Sequence, residues 1–173
     1  RGAELRKVAQ LLEKNKSKYA ELITLEMGKP LREADYEIAK VLTAFDYYIQ
    51  NAPAFLAPVS ATTNASKSYI SFEPLGIILS VMPWNFPFWQ VFRFAVPTLI
   101  AGNVTILKHA PSVPQCALAI EELFTEAGLP SGIFRNYFLS NEDAGKLIAD
   151  DRIKGVSFTG SDTTGSALAE QAG

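Results

Sequence analysis

The sequence predicts an α/β protein in which a parallel sheet carries helices on both faces, preceded by two helices, a connection and a half-exposed strand. Three observations predict it. From Gly76 onward, short apolar runs alternate with amphipathic segments over short loops, the pattern of parallel strands joined by crossover helices. Before that point apolar residues recur at steps of three and four, which is helical spacing. Between the two lies a stretch rich in Pro, Ala, Ser and Thr, followed by polar–apolar alternation.

Each element follows from its own residues. Leu5, Val8, Leu11, Leu12, Tyr19, Leu22 and Ile23 form one apolar stripe, predicting a helix over residues 4–27 that Gly28-Lys29-Pro30 stops. Ala34, Ile38, Val41, Leu42, Phe45 and Tyr48 predict a second helix over 31–49. Residues 51–66 read as a connection, and 68–72 as a half-exposed strand. Ile77-Ile78-Leu79-Ser80-Val81 is a nearly continuous apolar run, expected of a strand covered on both faces. The remainder predicts helix 88–100, strand 104–107, helix 114–127, strand 134–139, helix 142–149, strand 153–158 and helix 163–172.

Composition narrows the function. The 173 residues are 48% hydrophobic, enough for a core in one main domain. With 16 Lys+Arg against 18 Asp+Glu there is no basic footprint for nucleic acid. No apolar run reaches the roughly 18 residues of a transmembrane helix, and the charged residues 1–7 do not read as a signal peptide. The single cysteine, Cys116, cannot form an internal disulfide and fits a reducing, cytoplasmic setting. No metal site is expected. Both ends look abrupt, so the chain is expected to be a piece of a larger protein.

Parallel sheets bind ligands beyond the carboxyl ends of their strands. That directs attention to residues 82–87, 108–111, 140–145 and 159–165. In Met82-Pro83-Trp84-Asn85-Phe86-Pro87, two prolines stiffen the backbone around one amide. Asn85 can serve as a rigidly aimed donor to a developing oxyanion, or the segment is a Pro-rich turn with aromatic packing. Lys108, at a strand end, can reach a ribose or phosphate, or be a solvated surface lysine. His109, the one histidine, reads as structural. Thr159-Gly160-Ser161-Asp162-Thr163-Thr164-Gly165 follows a strand and opens a helix, whose N-terminal amides suit phosphate. It is not G-x-G-x-x-G, and Asp162 or Thr163 could simply be the helix N-cap. Phe86, Gln90 and Arg93 share one helical face. A cation in that apolar helix asks for an anionic partner, either a protein carboxylate or a substrate carboxylate. Cys116 sits mid-helix among Ala117, Leu118 and Ile120, and reads as a small hydrophobe rather than a nucleophile.

Taken together in order, Glu73-Pro74-Leu75-Gly76, Pro83-Trp84-Asn85-Phe86-Pro87, Ala101-Gly102-Asn103, Lys108, Gly128-Leu129-Pro130 and Phe158-Thr159-Gly160-Ser161 with Gly165 resemble the aldehyde dehydrogenase superfamily. The resemblance spans essentially the whole chain. Within it, Trp89-Gln90-Val91, Arg93 and Lys108-His109-Ala110-Pro111 look most like succinate-semialdehyde dehydrogenases of the NAD(P) type.

The resemblance implies a Rossmann-like fold, with residues 1–173 an incomplete NAD(P)-binding domain and residues 57–72 part of an oligomerisation arm. Asn85 would be the side-chain donor of the oxyanion hole. Lys108 would hold the adenosine ribose, and Gly160, Ser161 and Gly165 would form the pyrophosphate turn. Met82, Pro83, Trp84 and Gly145 would line the dinucleotide cleft, while Phe86, Gln90 and Arg93 would face the substrate. Many NAD-preferring members carry Glu three residues after the lysine; here Pro111 stands there, so NADP should be tolerated beside NAD. The implied reaction is oxidation of an aldehyde, succinate semialdehyde in the first instance, by a homodimer or homotetramer. The family's nucleophilic cysteine and general-base glutamate would lie past Gly173. The alternative is a non-catalytic dinucleotide-binding or oligomerising fragment.

Overall fold

A computed structural model describes all 173 residues. Its helices are α1 (Gly2–Lys14), α2 (Lys16–Met27), α3 (Leu31–Phe55), α4 (Trp89–Ile100), α5 (Pro114–Glu126), α6 (Asn141–Ile148) and α7 (Asp162–Ala172). Its strands are β1 (Val59–Ser60), β2 (Tyr69–Ile70), β3 (Ile77–Met82), β4 (Val104–His109), β5 (Phe134–Asn136) and β6 (Ile153–Phe158).

The single first helix expected from the stripe is two. Asn15 breaks it: its backbone leaves helical geometry at ψ 18°, and its side-chain amide donates to the Leu11 carbonyl at 3.1 Å. This is the local competition that makes Asn a poor helix interior residue. Gly28, at φ 76°, closes α2 in the left-handed conformation, as expected of the Gly-Lys-Pro stop. The second helix runs past 49 to Phe55, so the connection begins later than the Asn and Pro residues suggested. Ala52 is buried there, and Pro53 falls in the last turn, where few bonds remain to be broken. β1 lies within the arm expected over residues 57–72, in the stretch that otherwise read as a connection. It pairs antiparallel with β2, which covers only part of the expected strand, and the two form an exposed ribbon. β5 stops at Asn136 instead of 139, because Tyr137 and Phe138 turn outward and are exposed.

Sheet order is β5-β4-β3-β6, with every pairing parallel. The chain moves outward from β3 through β4 to β5, then returns to the other side of β3. Right-handed crossovers therefore place α6 on the face opposite α4 and α5. A ladder of aromatic rings links the helix layers to the sheet: Phe45 to Phe92 at 5.4 Å, Phe92 to Phe124 at 5.8 Å, and Phe124 to Phe134 at 4.4 Å. The N-terminal helices thus share one core with α4 and α5, and α3 packs along α4. The reversal of strand order puts the topological switch point at the carboxyl ends of β3 and β6, where open α/β sheets bind ligands.

Candidate functional site

Register brings the expected loops to one edge. Val81 pairs with Lys108 on one side and with Phe158 on the other, and Leu107 pairs with Asn136. The turns after β3, β4, β5 and β6 therefore leave the sheet at the same level. The 83–87 and 159–161 turns flank the switch point.

The turn after β3 is held from below. Phe88 is fully buried, packed on Tyr19 at 5.3 Å, while Trp84, Asn85 and Phe86 are exposed. Asn85 therefore sits exposed on an anchored base. His109 supplies one anchor. Its Nε2–H donates to the Pro87 carbonyl at 2.9 Å, while Nδ1 accepts from the Ala110 amide at 2.8 Å. Both ring nitrogens are thus used by the neutral imidazole, and burial pulls its pKa below the usual value. The structural reading of His109 holds.

Met82 departs from expectation. The residue is 3% exposed and belongs to the core, so its side chain does not line an open cleft. Pro83 is half-buried beside it. Gln90 is buried with Oε1 unpaired, while Phe86 and Arg93 are exposed; the three do not form one uniform surface. Arg93 also corrects the expectation of a buried cation. It lies on the solvent side of α4, and Nη2 donates to the Thr159 hydroxyl at 3.2 Å. Its charge is met by a neutral partner, so burial does not demand an anion there.

Lys108 is 6% exposed, not a solvated surface residue. Burial alone lowers its pKa, and no carboxylate is close enough to oppose the shift. A buried cation without a protein anion is ready for an external one. Pro111 is exposed in the turn that follows.

The turn after β6 opens a depression of about 580 Å³ bordered by Arg93, Thr159, Ser161, Asp162 and Ser166. Ser161, not Asp162 or Thr163, is the N-cap of α7: its hydroxyl accepts from the Thr164 amide at 3.4 Å. The amides of Asp162 and Thr163 precede the first intrahelical bond. Gly160 and Gly165 serve a purpose that was not foreseen. A Cβ on Gly160 would collide with the Phe158 ring, and one on Gly165 would come within 3.2 Å of it. The glycines make room for that ring as well as thinning the backbone. Gly145 stands apart, on α6 against Gln171 near the far end of α7, and is not joined to the Gly160 turn.

Two acidic residues were missed. Glu26 Oε1 and Oε2 accept from the amides of Gln115 and Cys116, both at 2.7 Å, capping α5. Glu37 Oε1 accepts from Phe88 at 2.9 Å and Trp89 at 3.0 Å, capping α4. Glu37 did leave a signal: it lies on the buried stripe of α3 between Ala34, Ile38 and Val41. Glu26 left none. The positive ends of α4 and α5 are thus already neutralised. That of α7 has a neutral serine cap, which favours it for an anion, although Asp162 in its first turn opposes one. Cys116 is fully buried, and burial with the Glu26 carboxylate pushes its thiol pKa far up. No nucleophilic thiolate forms there.

Known proteins resemble this chain along its whole length. The aldehyde dehydrogenase family model matches residues 1–173. A probable NADP-type succinate-semialdehyde dehydrogenase of Synechocystis is 51% identical over 172 residues, 99% of this chain and 38% of that protein. The NADP-type succinate-semialdehyde dehydrogenase of Deinococcus radiodurans is 43% identical, over 100% of this chain and 36% of that protein. Among solved structures, succinic semialdehyde dehydrogenase of Streptococcus pyogenes in complex with NADP+ superimposes with TM-score 0.95 at 40% identity, covering 99% of this chain and 38% of that one. The chain therefore spans little more than a third of the length of these relatives. No helix is long and apolar enough to cross a membrane.

Proposed function

Because this chain belongs to the aldehyde dehydrogenase family, we propose that it is the dinucleotide-binding portion of a cytoplasmic, NADP- or NAD-dependent enzyme that oxidises succinate semialdehyde to succinate. The observation that carries the reading is the sheet edge itself. A buried lysine with no protein anion, the neutral-capped end of α7 and a rigidly based, exposed asparagine all meet there.

The residues present fit a dinucleotide. Lys108 suits an adenosine ribose or its 2′-phosphate, and at Pro111 no carboxylate repels that phosphate. Gly160, Ser161 and the first amides of α7 suit the pyrophosphate. When bound, the dinucleotide supplies the hydride acceptor. Asn85 donates to the aldehyde oxygen as it gains negative charge, which lowers the barrier only if the amide is already aimed. Arg93 offers its guanidinium to the carboxylate of the substrate. The β1–β2 ribbon, with unpaired edges, is suited to joining copies of the enzyme as a homodimer or homotetramer.

The test compares succinate semialdehyde with an uncharged aldehyde in the whole enzyme and its Arg93→Ala variant. An exposed charge contact is worth about 1 kcal/mol, so kcat/KM should fall about fivefold for the acid aldehyde only. An equal fall for both aldehydes, or none, contradicts the substrate assignment.

A further inference from the structure

The exposed tip of the 83–87 turn has no side-chain hydrogen bond of its own, yet its base is tied at three points. The carbonyl of Pro87 takes the His109 proton. The amides of Phe88 and Trp89 converge on one oxygen of Glu37. The other Glu37 oxygen takes the Lys29 ammonium, which also lies 3.7 Å from the centre of the Phe86 ring. Glu37 is the only buried acidic side chain in the chain. Its side chain is 0% exposed and that of Lys29 10%, so this pair is shielded from solvent and salt. Lys40, one turn further along α3, covers the Trp89 ring at 4.2 Å. Two residues outside the α/β unit, Lys29 before α3 and Glu37 within it, thus hold the segment that follows Asn85, from Phe86 to Trp89.

We infer that Glu37, with Lys29, is a positioning residue for the Asn85 oxyanion donor, so that the N-terminal helices take part in catalysis by fixing that turn. This rests on the proposed role of Asn85. A buried ion pair adds little net stability compared with an apolar pair of similar volume. It does impose a geometry: two amides on one oxygen, and a cation on the other that reaches the neighbouring ring. Displacing a catalytic donor by about 1 Å costs on the order of 100-fold in rate.

The test uses the whole enzyme and three variants: Glu37→Ala, Glu37→Gln and Lys29→Met. Gln keeps an oxygen for the two amides but loses the charge that holds Lys29. Two readouts are taken: amide hydrogen exchange across residues 83–89, and kcat per NADP+-binding site, with sites counted by titration so that misfolded protein is excluded. Glu37→Ala should speed exchange at Phe88 and Trp89 by about tenfold or more and lower kcat per site by about 100-fold. The Kd for NADP+ should stay within about threefold, since Lys108 and α7 are untouched. Glu37→Gln should recover most of the rate, and Lys29→Met should lose less than Glu37→Ala. Unchanged exchange at 88–89 overturns the inference, as does unchanged kcat per site with merely lower thermal stability. If the unmodified enzyme oxidises no aldehyde, the functional reading fails instead, and the exchange data alone decide whether Glu37 fixes the turn.

Discussion

Replacing Lys108 with methionine separates binding from folding, because the two effects have opposite signs. The residue is 6% exposed, and its charge has no carboxylate beside it. Folding must therefore remove part of the hydration of an ammonium without repayment. Methionine has similar length and no charge, so the thermal midpoint of the unliganded Lys108→Met protein should hold or rise. Binding should move the other way. A hydrogen bond to a charged group is worth about 1.5–3 kcal/mol, which converts to roughly 10- to 150-fold in Kd. Calorimetric titration with NADP+ reads this directly. The lowered pKa adds a second signature. Affinity of the unmodified protein should fall as pH climbs through the Lys108 pKa, which lies below the ordinary 10.5, whereas Lys108→Met should lack that limb. Binding within about twofold of the original, or a loss of stability with binding intact, would show that Lys108 is structural and refute the reasoning.

The remaining predictions concern the supports of the site. The His109 pKa is lowered in the folded protein from 6.5, so the unfolded state takes up a proton first as pH falls. Stability should be full above about pH 6.5 and decline below it, by up to about 1.4 kcal/mol per unit, and His109→Gln should flatten that decline in thermal midpoints. Glu26→Ala removes the cap of α5 and should cost about 1.5–3 kcal/mol of local stability. Peptide-mapped alkylation of Cys116 should then run roughly 10- to 150-fold faster, and an unchanged rate would mean that the cap carries no stability.

Much of this molecule was legible in its residues. Strands such as Ile77–Met82 declare themselves because a strand covered on both faces must be apolar throughout. Asn85, Lys108 and the Gly160–Gly165 turn stood out as candidates because ligand sites in such sheets follow strand ends. Other features depend on contacts between residues far apart in the chain. Met82 faces the core because α4 packs on β3, and Arg93 faces solvent because α3 covers another face of α4; neither pairing is visible in local spacing. The capping of α4 by Glu37 joins residues 51 and 52 positions apart. The fit of the Phe158 ring against Gly160 and Gly165 is likewise a matter of three-dimensional proximity, not of spacing. The break at Asn15 was local but weak, a single side-chain bond competing with a continuous stripe.

The most direct test of the whole account is reduction of NADP+ or NAD+ driven by succinate semialdehyde, followed by absorbance of the reduced nicotinamide, in the whole enzyme and in Asn85→Ala. The account predicts saturable, aldehyde-dependent reduction, with kcat lowered about 100- to 1000-fold by loss of the amide donor. No aldehyde-dependent reduction with either dinucleotide, or an Asn85→Ala enzyme that turns over like the original, would contradict it.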